Sequence, residues 1–514
     1  MGSQPIYDLL VVGGGINGVG IARDAAGRGL SVLLCEQHDL ASHTSAASTK
    51  LIHGGLRYLE YYEFNLVRKA LQEREVLLRA APHIIRPLRF VMPHDPSLRP
   101  AWLIRAGLFL YDRLGRRKLL PASRRIDLSA SPLGQPLQPN FRTGFVYSDA
   151  WVDDARLVVL NAVDAAERGA RIRTHTRFVS ARRHADHWEA VLEADGAAEP
   201  ETVRARALVN AAGPWAGALG RHALTIAPKR DLLMAKGSHI VVPRLFEHDH
   251  AYILQNPDRR VIFAIPYEGR FTLIGTTDVA FEGDPAQVAI TPEETRYLCD
   301  MTNRYFRERI EPTDVVWSYA GVRPLLEEDA ADLSAVTRDY ALECDGAPDR
   351  APLVSVLGGK ITTYRRLAEE ALDLLAPGLG GVRPVWTATA PLPGGDIVNA
   401  DFEAFLRDAS RRYSWLSAPV RERYARAYGT RMHRLIGNAT SVAALGRDLG
   451  GGLYEAEIDY LVRHEWARTP EDILWRRTKL GLHVHAETVQ RLAAVLPAFV
   501  SQHQQREPRY ATHA

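Results

Sequence analysis

The apolar positions fall into two kinds of run. Residues 7–12 read Tyr-Asp-Leu-Leu-Val-Val and residues 31–36 read Ser-Val-Leu-Leu-Cys-Glu, short aliphatic stretches suited to buried strands. Between them, residues 20–26 predict a helix with small residues on its inner side, ending near Gly27 and Gly29. Runs at 207–212 and 353–357 predict two more strands, each passing directly into glycine. Further on the period changes. Residues 402–407, 420–428, 455–468 and 487–499 repeat apolar positions at helical spacing and predict a small helical domain. Residues 384–395, with three prolines and two glycines, read as the linker to it.

Composition narrows the setting. The 514 residues leave room for about three ordinary domains, or for one large core with an appendage. Hydrophobic residues at 46% and charged ones at 24% describe a globular chain rather than a disordered one. Lys and Arg total 64 against 61 acids; a net charge of +3 gives no global field for nucleic acid, and none is expected as a partner. Cys35, Cys299 and Cys344 are too few and too scattered for a disulfide framework or a zinc site, so a reducing compartment and no metal are expected. Residues 1–7 lack a charged head followed by an apolar run, so no signal peptide is expected, and no stretch approaches the roughly 20 apolar residues of a membrane span.

The first two strands and their helix enclose Gly13-Gly14-Gly15-Ile16-Asn17-Gly18, and the second strand ends in Glu36. A strand, glycine turn, helix, strand and acid within about 30 residues is what dinucleotide binding requires. Gly13 permits the tight turn, Gly15 lets a pyrophosphate approach the backbone, and Gly18 lets the helix pack on the strand. The helix N-terminus offers N–H groups and a positive dipole end to phosphate, and Glu36 can accept from ribose hydroxyls. Such a turn does not separate FAD from NAD. Three further segments favour a flavin. Residues 42–62 are dense in hydroxyls and then carry Gly54-Gly55 and Arg57-Tyr58; residues 207–215 run an apolar strand into Ala211-Ala212-Gly213-Pro214; residues 358–368 place Gly358-Gly359-Lys360 at a helix start, where a reduced ring's negative charge would be stabilised. The last is not a P-loop, because its glycine spacing is wrong.

These segments carry a family resemblance. Residues 12–29 and 358–368 resemble the two signatures of FAD-dependent glycerol-3-phosphate dehydrogenases, and blocks at 51–60, 236–240, 274–278 and 321–324 resemble those of the bacterial aerobic members, in family order over nearly the whole chain. Residues 182–201 and 341–350 look freer. The resemblance implies an α/β fold similar to D-amino-acid oxidase: a Rossmann-like FAD domain (about 1–90, 150–220 and 350–385) interleaved with an antiparallel-sheet substrate domain (about 91–149 and 221–349), then a helical C-terminal domain at 391–514. It implies FAD as cofactor, held by Gly13, Gly15, Asn17, Gly18, Glu36, Ser45, Ser48, Thr49, Leu51, Gly55, Val179, Ala212, Gly213, Gly359, Lys360, Ile361 and Thr362. It also implies oxidation of sn-glycerol 3-phosphate to dihydroxyacetone phosphate, with a quinone as next acceptor, on the cytoplasmic side of the cell membrane.

A dianionic phosphate suits arginine's planar, bidentate donors. Arg57 and Arg323 are the expected grips, with Tyr58, Lys360 and Thr363 beside them. The hydroxyl proton needs a base near working pH; His239 is the first candidate and His53 the second, while Arg323 alternatively orients the hydroxyl. An oxidase using oxygen, a 2-hydroxy-acid or amine oxidoreductase, and a non-catalytic FAD scaffold are the rival readings. Residues 101–111, apolar and aromatic, precede the basic run Arg116-Arg117-Lys118 and suit either a lipid interface or an ordinary packed helix. Trp475-Arg-Arg-Thr-Lys479 is read as a solvated face, with a homodimer or lipid contact as the alternative.

Overall fold

The computed structural model describes residues 6–97, 100–115, 119–258, 260–326, 339–347 and 349–506; the basic run 116–118 lies outside them. The apolar run at the start forms the strand Ile6–Val12 at the centre of the first sheet. It pairs in parallel with Val32–Cys35 on one side and with Glu201–Asn210 on the other, and Arg350–Gly358 extends the sheet in parallel beyond the latter. Alternation along this strand decides what covers each face. Leu9 and Val11 join the core under the helices Ile16–Gly27, Asp154–Glu167 and Tyr364–Leu379, while Leu10 and Val12 meet Trp188 and Leu192 of an antiparallel hairpin on the other side.

That hairpin, Thr176–Arg183 with Trp188–Ala194, occupies part of the 182–201 stretch; the 341–350 stretch likewise holds most of the strand Tyr340–Ala347, which pairs antiparallel with Arg350–Gly358. The freer sequence there reflects tips and edges rather than missing structure. Among the described residues the second sheet has ten strands. Leu232–Pro243 lies between Phe271–Gly275 and Trp317–Leu326, and Ile85–Pro93 pairs antiparallel with Thr143–Val152. Leu51–Ile52 and Ile85–Pro93 belong to this sheet, so it takes up chain before residue 91, and Tyr340–Ala347 belongs to the first sheet. Sheet membership therefore alternates more finely than the expected boundaries.

The C-terminal helices enclose their own core, from Phe402 and Tyr424 to Leu492 and Leu496. The stretch read as a linker is packed. Trp386 lies against Gly27, where any Cβ would sit 2.1 Å from its ring, and the Trp386 indole N–H donates to Asp24 O at 3.2 Å. Two buried ion pairs fasten the helical domain to the first. Arg156 and Glu465, both fully buried, form a bidentate pair, with Arg156 Nη2 donating to Glu465 Oε1 at 2.9 Å. Arg477 donates from Nη1 and Nη2 to the two oxygens of Asp39 at 2.6 and 2.7 Å. Leaving one member of such a pair unpartnered costs about 3–5 kcal/mol, whereas replacing both by apolar residues costs far less. Glu465→Ala should therefore lower the thermal midpoint well beyond the Arg156→Met/Glu465→Leu double variant, as scanning calorimetry would show; equal losses would remove the pair from this role.

Candidate active site

Each glycine of the first turn has a steric reason. Gly13 stands at φ +113°, where a Cβ would meet Ala211 O at 2.5 Å, and at Gly18 a Cβ would meet Gly13 O at 1.9 Å. Gly15 caps the helix Ile16–Gly27 without a side-chain acceptor, and the Ile16 N–H donates to Ser45 Oγ at 3.0 Å. Glu36 closes the turn: Oε2 accepts from the Gly14 N–H at 2.7 Å and Oε1 from the His38 N–H at 2.9 Å. Burial pushes its carboxyl up, and the two N–H donors oppose that. Beside this turn runs a trough of about 560 Å³, lined by Gly13, Gly15, Glu36, Ser45, Ala212 and Gly213. His43 and Trp215, in edge contact with centroids 4.8 Å apart, also line it.

Ser45 and Thr44 continue from the trough into an inner compartment of about 220 Å³, whose walls include Ser48, Thr49, Leu51, Gly359, Ile361 and Thr362. Gly358 and Gly359 take positive φ (+74° and +100°) to turn the strand Arg350–Gly358 toward the helix Tyr364–Leu379. Asn17 fixes this second turn by donating from Nδ2 to Gly358 O at 3.2 Å. A long trough, an uncapped helix N-terminus, a ribose-side carboxylate and a glycine-walled compartment fit the phosphates, sugar and ring of FAD. Asn17, Gly18 and Val179 support the walls rather than line them; Val179 follows Arg177 and Phe178, which do line the trough.

A passage of about 110 Å³ opens from the inner compartment, and His53, Tyr58, Thr276, Phe263 and Arg323 line both. Gly55 lines the passage as well. Arg57 and Arg260 line the passage and an outer chamber of about 450 Å³ beyond it. Arg323 is aimed by its neighbours: Nη2 donates to Thr276 Oγ1 at 2.9 Å and Nη1 to Asp278 Oδ1 at 3.3 Å. Lys360 Nζ sits 3.7 Å from the centroid of the Tyr58 ring. Three arginines, Arg57, Arg260 and Arg323, thus line the passage, and Lys360 lines the inner compartment behind it, against the Tyr58 ring that the two spaces share. Thr363 does not reach it; this residue is 2% exposed and its hydroxyl donates to Lys360 O at 3.5 Å.

The two histidines separate. His53 lines both passage and inner compartment, and its N–H donates to Thr362 Oγ1 at 3.3 Å. His239 is fully buried, lies one layer behind, and lines neither space. Its Nε2 lies 3.0 Å from Thr49 Oγ1 and its ring stacks on Tyr319 at 4.7 Å. Burial, then Arg323 and Lys50, hold it well below the usual histidine range, so it is neutral. Arg260, Thr276 and Phe263 were not singled out as site residues from sequence. Thr276 lies inside the 274–278 block; Arg260 and Phe263 have no motif around them.

Comparison with known proteins bears on the fold and the cofactor. A family model described as FAD dependent oxidoreductase matches residues 8–365, and one described as the C-terminal domain of alpha-glycerophosphate oxidase matches residues 385–508. A glycerol-3-phosphate dehydrogenase of Pseudomonas aeruginosa is 57% identical over 96% of this chain and 95% of its own. A D-erythritol 1-phosphate dehydrogenase of Brucella abortus is 53% identical over 94% of this chain and 96% of its own. The crystal structure of glycerol-3-phosphate dehydrogenase from Bacillus halodurans with FAD superposes with a TM-score of 0.77 at 29% identity, over 98% of this chain and 92% of that one. With an FAD fold, a glycine-built cofactor trough and near-full-length relatives at this identity, the chain belongs to the family of FAD-dependent glycerol-3-phosphate dehydrogenases.

Proposed function

We propose that the protein oxidises sn-glycerol 3-phosphate to dihydroxyacetone phosphate and hands the electrons to a quinone while lying on the cytoplasmic face of the cell membrane. The observation that supports this most is the meeting of Arg57, Arg260 and Arg323 at a passage that opens on the cofactor compartment, where Lys360 stands on the inner side. A dianionic phosphate offsets much of that positive charge, and guanidinium forks can give it two parallel charge-assisted hydrogen bonds each. The substrate's carbinol is then directed inward. When bound, FAD supplies the two-electron acceptor.

The chain's own residues do the rest. His53 takes the hydroxyl proton, because it borders both the cofactor compartment and the passage. Arg323, held by Thr276 and Asp278, grips the phosphate or polarises the hydroxyl from a fixed direction. His239 is a positioning residue that acts through Thr49, since its buried ring lines neither space while Thr49 lines the inner compartment. A second reading, a four-carbon polyol phosphate as the preferred substrate, is favoured by the outer chamber, which leaves room beyond the passage for a longer chain. Oxygen in place of a quinone would make the same half-reaction an oxidase's.

The membrane reading rests on the helix Ala101–Leu114. Ile104, Leu108 and Tyr111 face the core, while Trp102 (71% exposed), Leu103, Phe109 (51%) and Leu110 face outward, beside exposed Tyr62 and Phe64. Among the described residues no helix is long and apolar enough to cross a membrane. An apolar stripe of this kind lies in an interface rather than through it.

Anaerobic mixing of the holoprotein with a panel of polyol phosphates should bleach the flavin fastest with glycerol 3-phosphate; faster bleaching by a four-carbon ester would favour the second reading, and no bleaching by any ester would reject both. His53→Asn should slow that bleaching by roughly 100-fold or more, whereas Arg323→Ala should mainly weaken substrate binding, by roughly tenfold or more for a lost charge-assisted contact. The reverse pattern would exchange their roles. Trp102→Ser/Phe109→Ser should abolish flotation with anionic vesicles and quinone reduction while leaving reduction of a soluble dye intact; undiminished flotation would remove this helix from the interface.

A further inference from the structure

The hairpin that forms one wall of the cofactor trough carries a separate cluster at its other end. The strands Thr176–Arg183 and Trp188–Ala194 are joined by the tight turn His184-Ala185-Asp186-His187, closed by the His184 N–H donating to His187 O at 2.8 Å. A turn this short sets the two imidazoles face to face, with centroids 4.5 Å apart and planes within 5°. Glu189 follows two residues along, and one ligand atom from each of His184, His187 and Glu189 lies within 4.8 Å of the others. Among the described residues this is the sole group of three or more such side chains.

We propose that His184, His187 and Glu189 form a binding site for a borderline divalent cation such as zinc, distinct from the flavin chemistry. Two nitrogens and one carboxylate oxygen are donors such ions favour, with water completing a tetrahedron. His184 Nε2 is buried and has no hydrogen-bond partner among the described residues, a cost that coordination removes. His187 is already prepared as a ligand. Asp186 Oδ1 lies 2.8 Å from His187 Nδ1 and can only accept there, so the proton sits on Nδ1 and the lone pair on Nε2. The base of the hairpin is rigid: Trp188 is fully buried and donates to Pro352 O at 3.0 Å, and Arg183 donates from Nη1 to Asp345 at 3.0 Å. Tetrahedral zinc holds its ligand atoms roughly 3.3 Å apart, so no pair has more than roughly 1.5 Å to close.

Arginines flank Glu189 on both sides in register, Arg182 on one neighbouring strand and Arg204 on the other. Arg204, paired in register across the sheet with Glu189, donates to Glu189 Oε2 from Nε at 3.1 Å and from Nη2 at 2.9 Å. A cation must share or take that carboxylate, which weakens binding and gives the site a signature. Adventitious surface binding would not respond to Arg204.

The test is titration of the FAD-loaded full chain with zinc by calorimetry and with cobalt by visible absorption. One equivalent should bind with a tetrahedral cobalt spectrum. His184→Gln/His187→Gln should abolish it, Asp186→Asn should weaken it by roughly tenfold, and Arg204→Gln should strengthen it by a similar factor. Unchanged stoichiometry in the double histidine variant, or no saturable binding by the parent chain, would overturn the site. So would an Arg204→Gln variant with FAD content and thermal midpoint like the parent but no gain in affinity.

Discussion

A buried ion pair between Lys50 and Asp154 underlies the whole active region. Lys50 Nζ donates to Asp154 Oδ1 at 2.7 Å and to Ala46 O at 3.0 Å, and Ser48 Oγ donates to Asp154 Oδ2 at 2.7 Å. Lys50 is 1% exposed and Asp154 not at all. Burial draws the Lys50 ammonium below its usual range, and Asp154 is the principal group opposing that. Asp154 in turn sits in the first turn of the helix Asp154–Glu167, where the dipole favours an anion. The segment between Cys35 and Leu51 has little regular structure of its own, yet its side chains wall both the trough and the inner compartment. With so few ladder hydrogen bonds, its shape depends on side chains that reach back from it into the protein.

The C-terminal domain presses on the same segment from outside. Asp39 is gripped by Arg477 and by Arg476 Nε at 2.7 Å, and Trp475 stacks on Trp317 of the second sheet at 4.4 Å. One short stretch of the helical domain therefore touches the cofactor loop and the substrate sheet together. Trp475 to Lys479, read from sequence as a solvated face, is half-buried or buried. The reason is physical: arginine and lysine beside two tryptophans bury their stems, and their charges find Asp39, Asp472 and Asp153. The domain acts as a buttress to the site, although it contributes none of the four cations.

What could be read from sequence was local. The turn Gly13–Gly18, Glu36 and the turn at Gly358-Gly359 are each specified by residues within a few positions, so strand, turn and helix were legible before any tertiary contact. His239 was not. It lies in Leu232–Pro243, a strand flanked on both sides, where Lys236, Ser238 and His239 are all buried and alternation no longer marks a face. A histidine there reads from sequence like one on a cavity wall. Arg260 stands at a turn with no motif, and only the folding of the second sheet carries it to Arg57 and Arg323. The 384–395 stretch shows the same limit from the other side: prolines and glycines signal irregular backbone, but whether it is packed depends on Gly27 and Tyr428, which lie far away in sequence.

The outward apolar helix and the catalytic loop are joined more tightly than their positions in the chain suggest. Tyr111, on the inner face of Ala101–Leu114, donates to Asp149 at 2.9 Å and accepts from the Gly54 N–H at 2.8 Å. Asp149 is completed by Arg74 Nη1 at 2.6 Å. Burial and Asp149 push the Tyr111 hydroxyl far above its usual range, so it stays protonated and its two roles do not exchange. Gly54 is the residue after His53. The proposed lipid face and the proposed base thus hang on the two sides of one hydroxyl, in a region where Leu71 and Tyr111 leave no space for a Cβ on Gly54. The Tyr111 hydroxyl and the packing around Gly54 hold the backbone beside His53 from within the protein, so the chemistry at the cofactor keeps its geometry whether or not the helix rests on a surface, and the surface bears on where the electrons go next.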